Sequence, residues 1–148
     1  MDERLETSLG RVARVMAGAQ DPWWIIGSAA VALHGRDPGG IADVDVVLSV
    51  RDADELLEPR GILPDDKPPH PQFHSRWFAR WDGTPLPTEY MAGFQLAESG
   101  RWQPVTFETR EAVELEGETL YVPSRDELRA LLHRFGRGKD LQRAAALD

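Results

Sequence analysis

The sequence predicts one mixed α/β (α+β) domain over residues 1–148, with a mixed β-sheet flanked by helices. Three observations predict it. Apolar residues recur at helical spacing near both ends of the chain, at Leu5, Leu9, Val12, Val15 and Met16 and again at Leu128, Leu131, Leu132 and Phe135. Between them lie short apolar or alternating runs of strand length, bounded by Gly and Pro. The chain is 148 residues long, 41% hydrophobic and 28% charged, the make-up of a globular chain with one ordinary core. That composition excludes a coiled coil, a collagen-like repeat and a disordered tail. No apolar run approaches the roughly 20 residues of a membrane helix, and Arg4, Arg11 and Arg14 interrupt any signal-peptide core. There is no cysteine, so disulfides and thiolate-bound zinc are excluded, and the expectation is a cytoplasmic protein.

The elements follow in order. Residues 3–17 are expected to form an amphipathic helix ended by Pro22. Trp23-Trp24-Ile25-Ile26 has the pattern of a buried strand. Gly27-Ser28 follows, then a short buried helix through Leu33 that Gly35 closes. Residues 36–42 hold Asp37-Pro38-Gly39-Gly40 and are a loop. Asp43–Val50 is expected to be a strand, with Val44, Val46 and Leu48 on one face and Asp43 and Asp45 on the other. Asp52 is the expected N-cap of the next helix, with Glu55 at its third position. Five prolines between 59 and 72 predict an exposed loop. Phe73–Trp81 and Pro87–Phe94 are expected to be strands joined by a turn at Asp82-Gly83-Thr84-Pro85. Val105–Leu115 and Thr119–Val122 follow as strands around Glu116-Gly117-Glu118. Ser124-Arg125-Asp126-Glu127 is a capping box opening a helix that Gly136 and Gly138 break. Lys139–Leu147 is expected to add a helical turn or two.

Charge is unevenly placed. The chain carries −8 overall, but six basic and four acidic residues from 123 to 148 give +2 and leave −10 for residues 1–122. An acidic body is a poor general binder of duplex DNA. It is suited to holding a cation on carboxylates, with a phosphate at the basic end.

The most specific constellation is Gly27-Ser28 between a strand and a helix, followed after a loop by Asp43-Val44-Asp45 on a strand. Carboxylates at i and i+2 share one strand face, about 6–7 Å apart at Cα. Unpaired they repel, and a divalent cation is a common reason to keep them together. A wet edge strand is the plain alternative. Gly permits close backbone approach, Ser adds a hydroxyl, and a helix start presents N–H groups to an anion.

The run Trp23-Trp24-Ile25-Ile26-Gly27-Ser28-Ala29-Ala30-Val31-Ala32-Leu33-His34-Gly35, followed by Asp43-Val44-Asp45-Val46-Val47-Leu48, resembles the signature of the nucleotidyltransferase superfamily. Its small bacterial members, toxin-type and antibiotic-modifying, are the most similar in pattern. The ending Gly136-Arg137-Gly138-Lys139-Asp140-Leu141 is similar to one common among them. The resemblance implies a magnesium- or manganese-dependent enzyme that moves a nucleoside monophosphate from an NTP such as ATP to an acceptor hydroxyl. It implies that Asp43 and Asp45 bind metal, that Glu89 is the third carboxylate, and that Gly27 and Ser28 contact the phosphates. By the same analogy Lys139 and Asp140 lie near the triphosphate or acceptor, and Arg137 and Lys139, two cations in a turn flanked by Gly136 and Gly138, are expected to contact the triphosphate. Gly39 and Ile41 stand where relatives often carry Arg and Thr or Ser, and Arg36 is expected to reach back into the site. Leu132 or His133 stands where relatives often carry Lys on the penultimate helix. The acceptor is open between RNA, a protein and a small molecule, with the acidic body arguing against a large RNA. At this length a dimer mate or a partner protein is expected to complete the site. A catalytically inactive nucleotide- or partner-binding module on the same fold is the alternative.

Other chemistry-bearing residues are expected to be structural. His34 sits at a helix end, His70 and His74 lie in proline-rich surroundings that exclude a helical metal pair, and His133 is on a helix surface. Trp77, Trp81 and Trp102 are expected to pack and not to stack on a ligand ring.

Overall fold

The computed structural model describes residues 1–148. Its five helices flank a five-stranded mixed sheet, and a two-stranded hairpin packs at one side. Helix α1 (Glu3–Met16) begins where the Asp2 carboxylate accepts from the Arg4 and Leu5 amides, and it buries Leu5, Leu9, Val12 and Met16. Strand β1 (Trp24–Ile26) runs straight into α2 (Gly27–Leu33). Strand β2 (Val44–Leu48) pairs antiparallel with β1 and parallel with β4 (Thr88–Glu98), which pairs antiparallel with β3 (Phe73–Trp81). The sheet order is β1-β2-β4-β3, and β5 (Arg101–Pro104) extends it along the second half of β4. Strands β6 (Glu111–Leu115) and β7 (Glu118–Val122) form the hairpin. Helices α4 (Arg125–Phe135) and α5 (Gly138–Ala146) close the chain.

One strong constraint fixes the sheet. Val44 and Val46 are fully buried on one face of β2, so Asp45 must face the other. Strand β4 alternates in the same way, with Thr88, Tyr90 and Ala92 buried and Glu89 and Met91 opposite them. Midway, Gly93 takes φ 62° and lies so close to β3 that a Cβ would approach the Arg76 side chain to 2.9 Å. Beyond it Phe94 and Leu96 belong to a second, smaller core with Ile26, Val47 and Phe135, while Tyr90 and Ala92 belong to the main one.

Helix α1 fixes where β4 begins. The Ser8 hydroxyl accepts from the Leu86 amide at 2.9 Å, and Arg4 and Arg11 donate to the carbonyls of Pro85 and Gly83. Val44 then donates to the Pro87 carbonyl, which starts the parallel pairing of β2 with β4. These bonds set the height of Glu89 beside Asp45.

Several local expectations are corrected. Ser49, not Asp52, caps the helix after β2: its hydroxyl accepts from the Asp52 amide. Asp52 is buried and accepts instead from the amides of Gln20 and Asp21, which ties the end of α1 to α3 (Val50–Asp52). That helix continues as a π-helical stretch over Ala53–Leu57. Residues 105–110 form no strand. Side chains take up backbone groups at Glu108 and Thr109: Glu127 accepts from both amides, and Trp24 donates to the Thr109 carbonyl. Glu127 therefore does not reach back to the Ser124 amide, which donates to the Thr109 hydroxyl instead. Strand β5, absent from the sequence expectation, carries Trp102, and α5 is a full helix of nine residues. No helix is long and apolar enough to cross a membrane.

Candidate active site

The parallel register of β2 and β4 sets Asp45 opposite Glu89. Asp43 lies one residue before β2 begins, on the same face. The three side chains converge, and one carboxylate oxygen from each lies within 4.8 Å of the other two. All three are half-buried. A slip of one residue in β4 would have presented Thr88 or Tyr90, both of which are buried in the core.

The cluster is electrostatically strained. Burial, followed by repulsion from Asp43 and Glu89, pushes the Asp45 carboxyl up to about 8, against the weaker opposing pull of Arg143 and Arg137. Three hard oxygen donors on a desolvated, like-charged site fit Mg²⁺ or Mn²⁺, which a softer or neutral donor set would not. Asp43, Asp45 and Glu89 are thus the residues that could hold such an ion.

Gly27 lies directly against Asp45. Its φ is 67°, and a Cβ there would sit 2.7 Å from Asp45 Oδ2. Both the backbone conformation and the space exclude a side chain, so the chain turns from β1 into α2 in contact with the carboxylate. Ser28 follows and is 2% exposed.

Two basic groups approach the cluster. Arg80 on β3 pairs across the sheet with Glu89, and its guanidinium lies 3.4 Å from Asp43 and 3.3 Å from Glu89. The sequence expectation missed it. A four-residue turn at 82–85 would set Arg80 opposite Pro87. The loop actually spans 82–87, from the last pair Trp81–Thr88, and this moves Arg80 opposite Glu89. A buried bond between Thr84 in the loop and Thr88 at the start of β4 holds it at that length. The second group is the basic end of the chain, where Arg137 faces the same cavity as Asp45 and Glu89.

The other residues expected at the nucleotide are placed differently. Asp140 is fully buried, with Arg137 donating to both of its oxygens at 2.6 and 3.0 Å and through its backbone amide. The pair caps α5, so Arg137 has a structural duty that its place in a glycine-flanked turn did not suggest, and Asp140 is not presented to a ligand. Arg137 also lies 4.8 Å over the Phe73 ring. Lys139 is exposed on α5. Arg36 does not reach back to the cluster; its guanidinium donates to the carbonyls of Ala146 and Asp148 at the C-terminus.

A cavity of about 420 Å³ opens beside the cluster. Asp45, Glu89 and Met91 line it together with the rings of Phe78 and Phe135 and the segment 64–70. Asp65 ties this segment to β3: its amide donates to the Phe78 carbonyl, and its carboxylate accepts from the Arg80 amide. Gly27 and Ser28 are not among the lining residues. His74 lines the cavity and tilts toward Trp102, while His34 bonds the Pro123 carbonyl and His70 accepts from the Gln72 and Phe73 amides. Trp77 also lines the cavity but is largely buried, and Trp81 packs against the core near Tyr90.

No protein-family model and no curated protein matches the chain. Solved structures do. A nucleotidyltransferase candidate from Thermotoga maritima superposes with a TM-score of 0.68, at 22% identity, over 87% of this chain and 83% of that one. The antibiotic-resistance factor ANT(2'')-Ia gives 0.63 at 13% identity, over 99% and 84% of the two chains. The lincosamide antibiotic adenylyltransferase LnuA, solved with lincomycin bound, gives 0.59 at 10% identity, over 100% and 99%. The chain has the nucleotidyltransferase fold.

Proposed function

We propose that the protein transfers a nucleoside monophosphate from an NTP to a hydroxyl of a small molecule, releasing pyrophosphate. The observation that carries this reading is the convergence of Asp43, Asp45 and Glu89 on one sheet face of this fold. Asp43, Asp45 and Glu89 would hold Mg²⁺ or Mn²⁺, which when bound polarises phosphoryl oxygens and acidifies a nearby hydroxyl. The triphosphate is read as lying on the Gly27–Ser28 side, where the backbone between β1 and α2 meets Asp45 directly. The acceptor is read as lying on the Glu89 side, in the cavity. Glu89 borders that cavity, and there it can accept the proton of the attacking hydroxyl.

The cavity also supports the acceptor class. Its volume falls within the usual range for small-molecule sites, and its walls combine aromatic rings with carboxylates and cations. The neighbours ANT(2'')-Ia and LnuA, an antibiotic-resistance factor and an antibiotic adenylyltransferase by name, are consistent with a small acceptor.

The test is incubation with Mg²⁺ or Mn²⁺ and each labelled NTP in turn, with a panel of hydroxylated small molecules, with RNA, and with the protein alone. Pyrophosphate release with label on a small molecule is expected. Glu89→Gln is expected to lower turnover at least about 100-fold, the scale of a lost general base, without a large change in melting temperature. Label on RNA or on the protein would overturn the acceptor assignment. No pyrophosphate from any NTP, with no nucleotide-dependent shift in melting, would favour an inactive module.

A further inference from the structure

We propose that Arg80 is a built-in counter-cation of the carboxylate cluster, which a divalent ion must displace from Asp43 and Glu89. The proposal rests on the reading of the cluster as the metal site of nucleotidyl transfer.

A single nitrogen, Arg80 Nη1, approaches both carboxylates, 3.4 Å from Asp43 Oδ2 and 3.3 Å from Glu89 Oε2. Asp43 and Glu89 are two of the three groups whose oxygens lie within 4.8 Å of one another. Arg80 therefore borders the space that a small hard cation would fill. The third carboxylate, Asp45, feels instead the pull of Arg143 and Arg137, which is weaker than the push of burial and of its two neighbours. Positive charge thus reaches the cluster from two separate sides.

The backbone holds Arg80 in place while its side chain stays free. Strand pairing sets it opposite Glu89, and its amide donates to Asp65 at 2.6 Å. The side chain is 48% exposed. A half-exposed pair of this kind is held only weakly. Arg80 is therefore displaceable. It relieves repulsion in the ion-free protein and lowers the affinity for the first ion. Once displaced, the guanidinium stands at the edge of the cluster as a free cation on the Glu89 side. A bystander surface pair would have no effect on metal affinity.

The test is Mn²⁺ titration of the full chain at pH 8 without nucleotide, read by the electron paramagnetic resonance of free Mn²⁺ and by melting temperature. Wild type, Arg80→Gln and Arg80→Lys are compared. Arg80→Gln is expected to bind Mn²⁺ about tenfold more tightly than wild type, and to melt lower than wild type only when Mn²⁺ is absent. Arg80→Lys keeps the charge and is expected to stay within about threefold of wild type. A structural defect would not tighten binding. If wild type binds Mn²⁺ and Arg80→Gln binds it equally or more weakly, Arg80 is a surface ion pair and the metal reading survives. If neither protein binds Mn²⁺ at millimolar concentration, both the counter-cation and the metal reading fall.

Discussion

Replacing Asp45 with asparagine raises the melting temperature of the metal-free protein by about 5 °C at pH 8.5 and leaves it nearly unchanged at pH 4. The cause is the carboxyl pushed up to about 8 by burial and by Asp43 and Glu89. In the unfolded chain an aspartate titrates near 3.9. Between these values the folded protein holds a proton that the unfolded chain has released, so stability falls as pH rises through the window. Above it the full cost of a buried, repelled charge is present. A shift of this size corresponds to several kcal/mol. Asparagine keeps some of the desolvation cost, which leaves on the order of 2 kcal/mol to recover and gives the stated temperature change in a chain of this length. Mn²⁺ reverses the order, because it binds the ionised carboxylate and only the folded state offers the site. Wild type therefore gains stability from Mn²⁺, increasingly toward pH 8, and Asp45→Asn gains much less. Melting curves at four pH values, with and without Mn²⁺, check this. A variant no more stable than wild type at pH 8.5 would mean that Asp45 carries no strain.

Gly27→Ala is expected to reduce turnover at least about 100-fold while lowering the melting temperature by only a few degrees. A side chain at φ 67° costs about 1 kcal/mol, and its Cβ would meet Asp45 Oδ2 at 2.7 Å. Asp45 is the softer partner and must move. A displacement of about 1 Å at a reacting centre is enough for the predicted loss. Steady-state kinetics beside a melting curve separate the two effects. Normal turnover in a folded Gly27→Ala protein would show that the Gly27–Asp45 contact is not needed.

The core of the site could be read from the sequence because it depends on local patterns. Alternation through Val44, Asp45 and Val46 placed the aspartates on one face, and the apolar run into Gly27-Ser28 marked the junction of β1 with α2. Glu89 was named from the resemblance alone, and in the structure alternation along β4 sets it opposite the buried Thr88 and Tyr90. Arg80 was hidden because its position depends on register across a loop. Two residues of loop length decide whether it meets Glu89 or Pro87, and buried bonds from Ser8 and between Thr84 and Thr88 set that length. Asp52 was misplaced for a similar reason: it has the chemistry of a cap, but its partners are amides more than 30 positions earlier. The strand expected at 105–110 failed because Glu127 and Trp24 satisfy that backbone from distant elements. Arg36, Arg137 and Asp140 were expected at a nucleotide by analogy. Arg137 pairs with the buried Asp140 yet still faces the cavity beside Asp45 and Glu89, and Arg36 is held by the C-terminus.

The central claim is that Asp43, Asp45 and Glu89 together form a divalent-cation site. The most direct test is anomalous diffraction from crystals grown with Mn²⁺ and a non-hydrolysable NTP analogue. The account predicts an anomalous peak about 2.0–2.2 Å from an oxygen of Asp45, with oxygens of Asp43 and Glu89 also in its coordination shell and Arg80 turned away from both. A map with the nucleotide bound but no peak among these carboxylates, or with Arg80 still bridging Asp43 and Glu89, would contradict it.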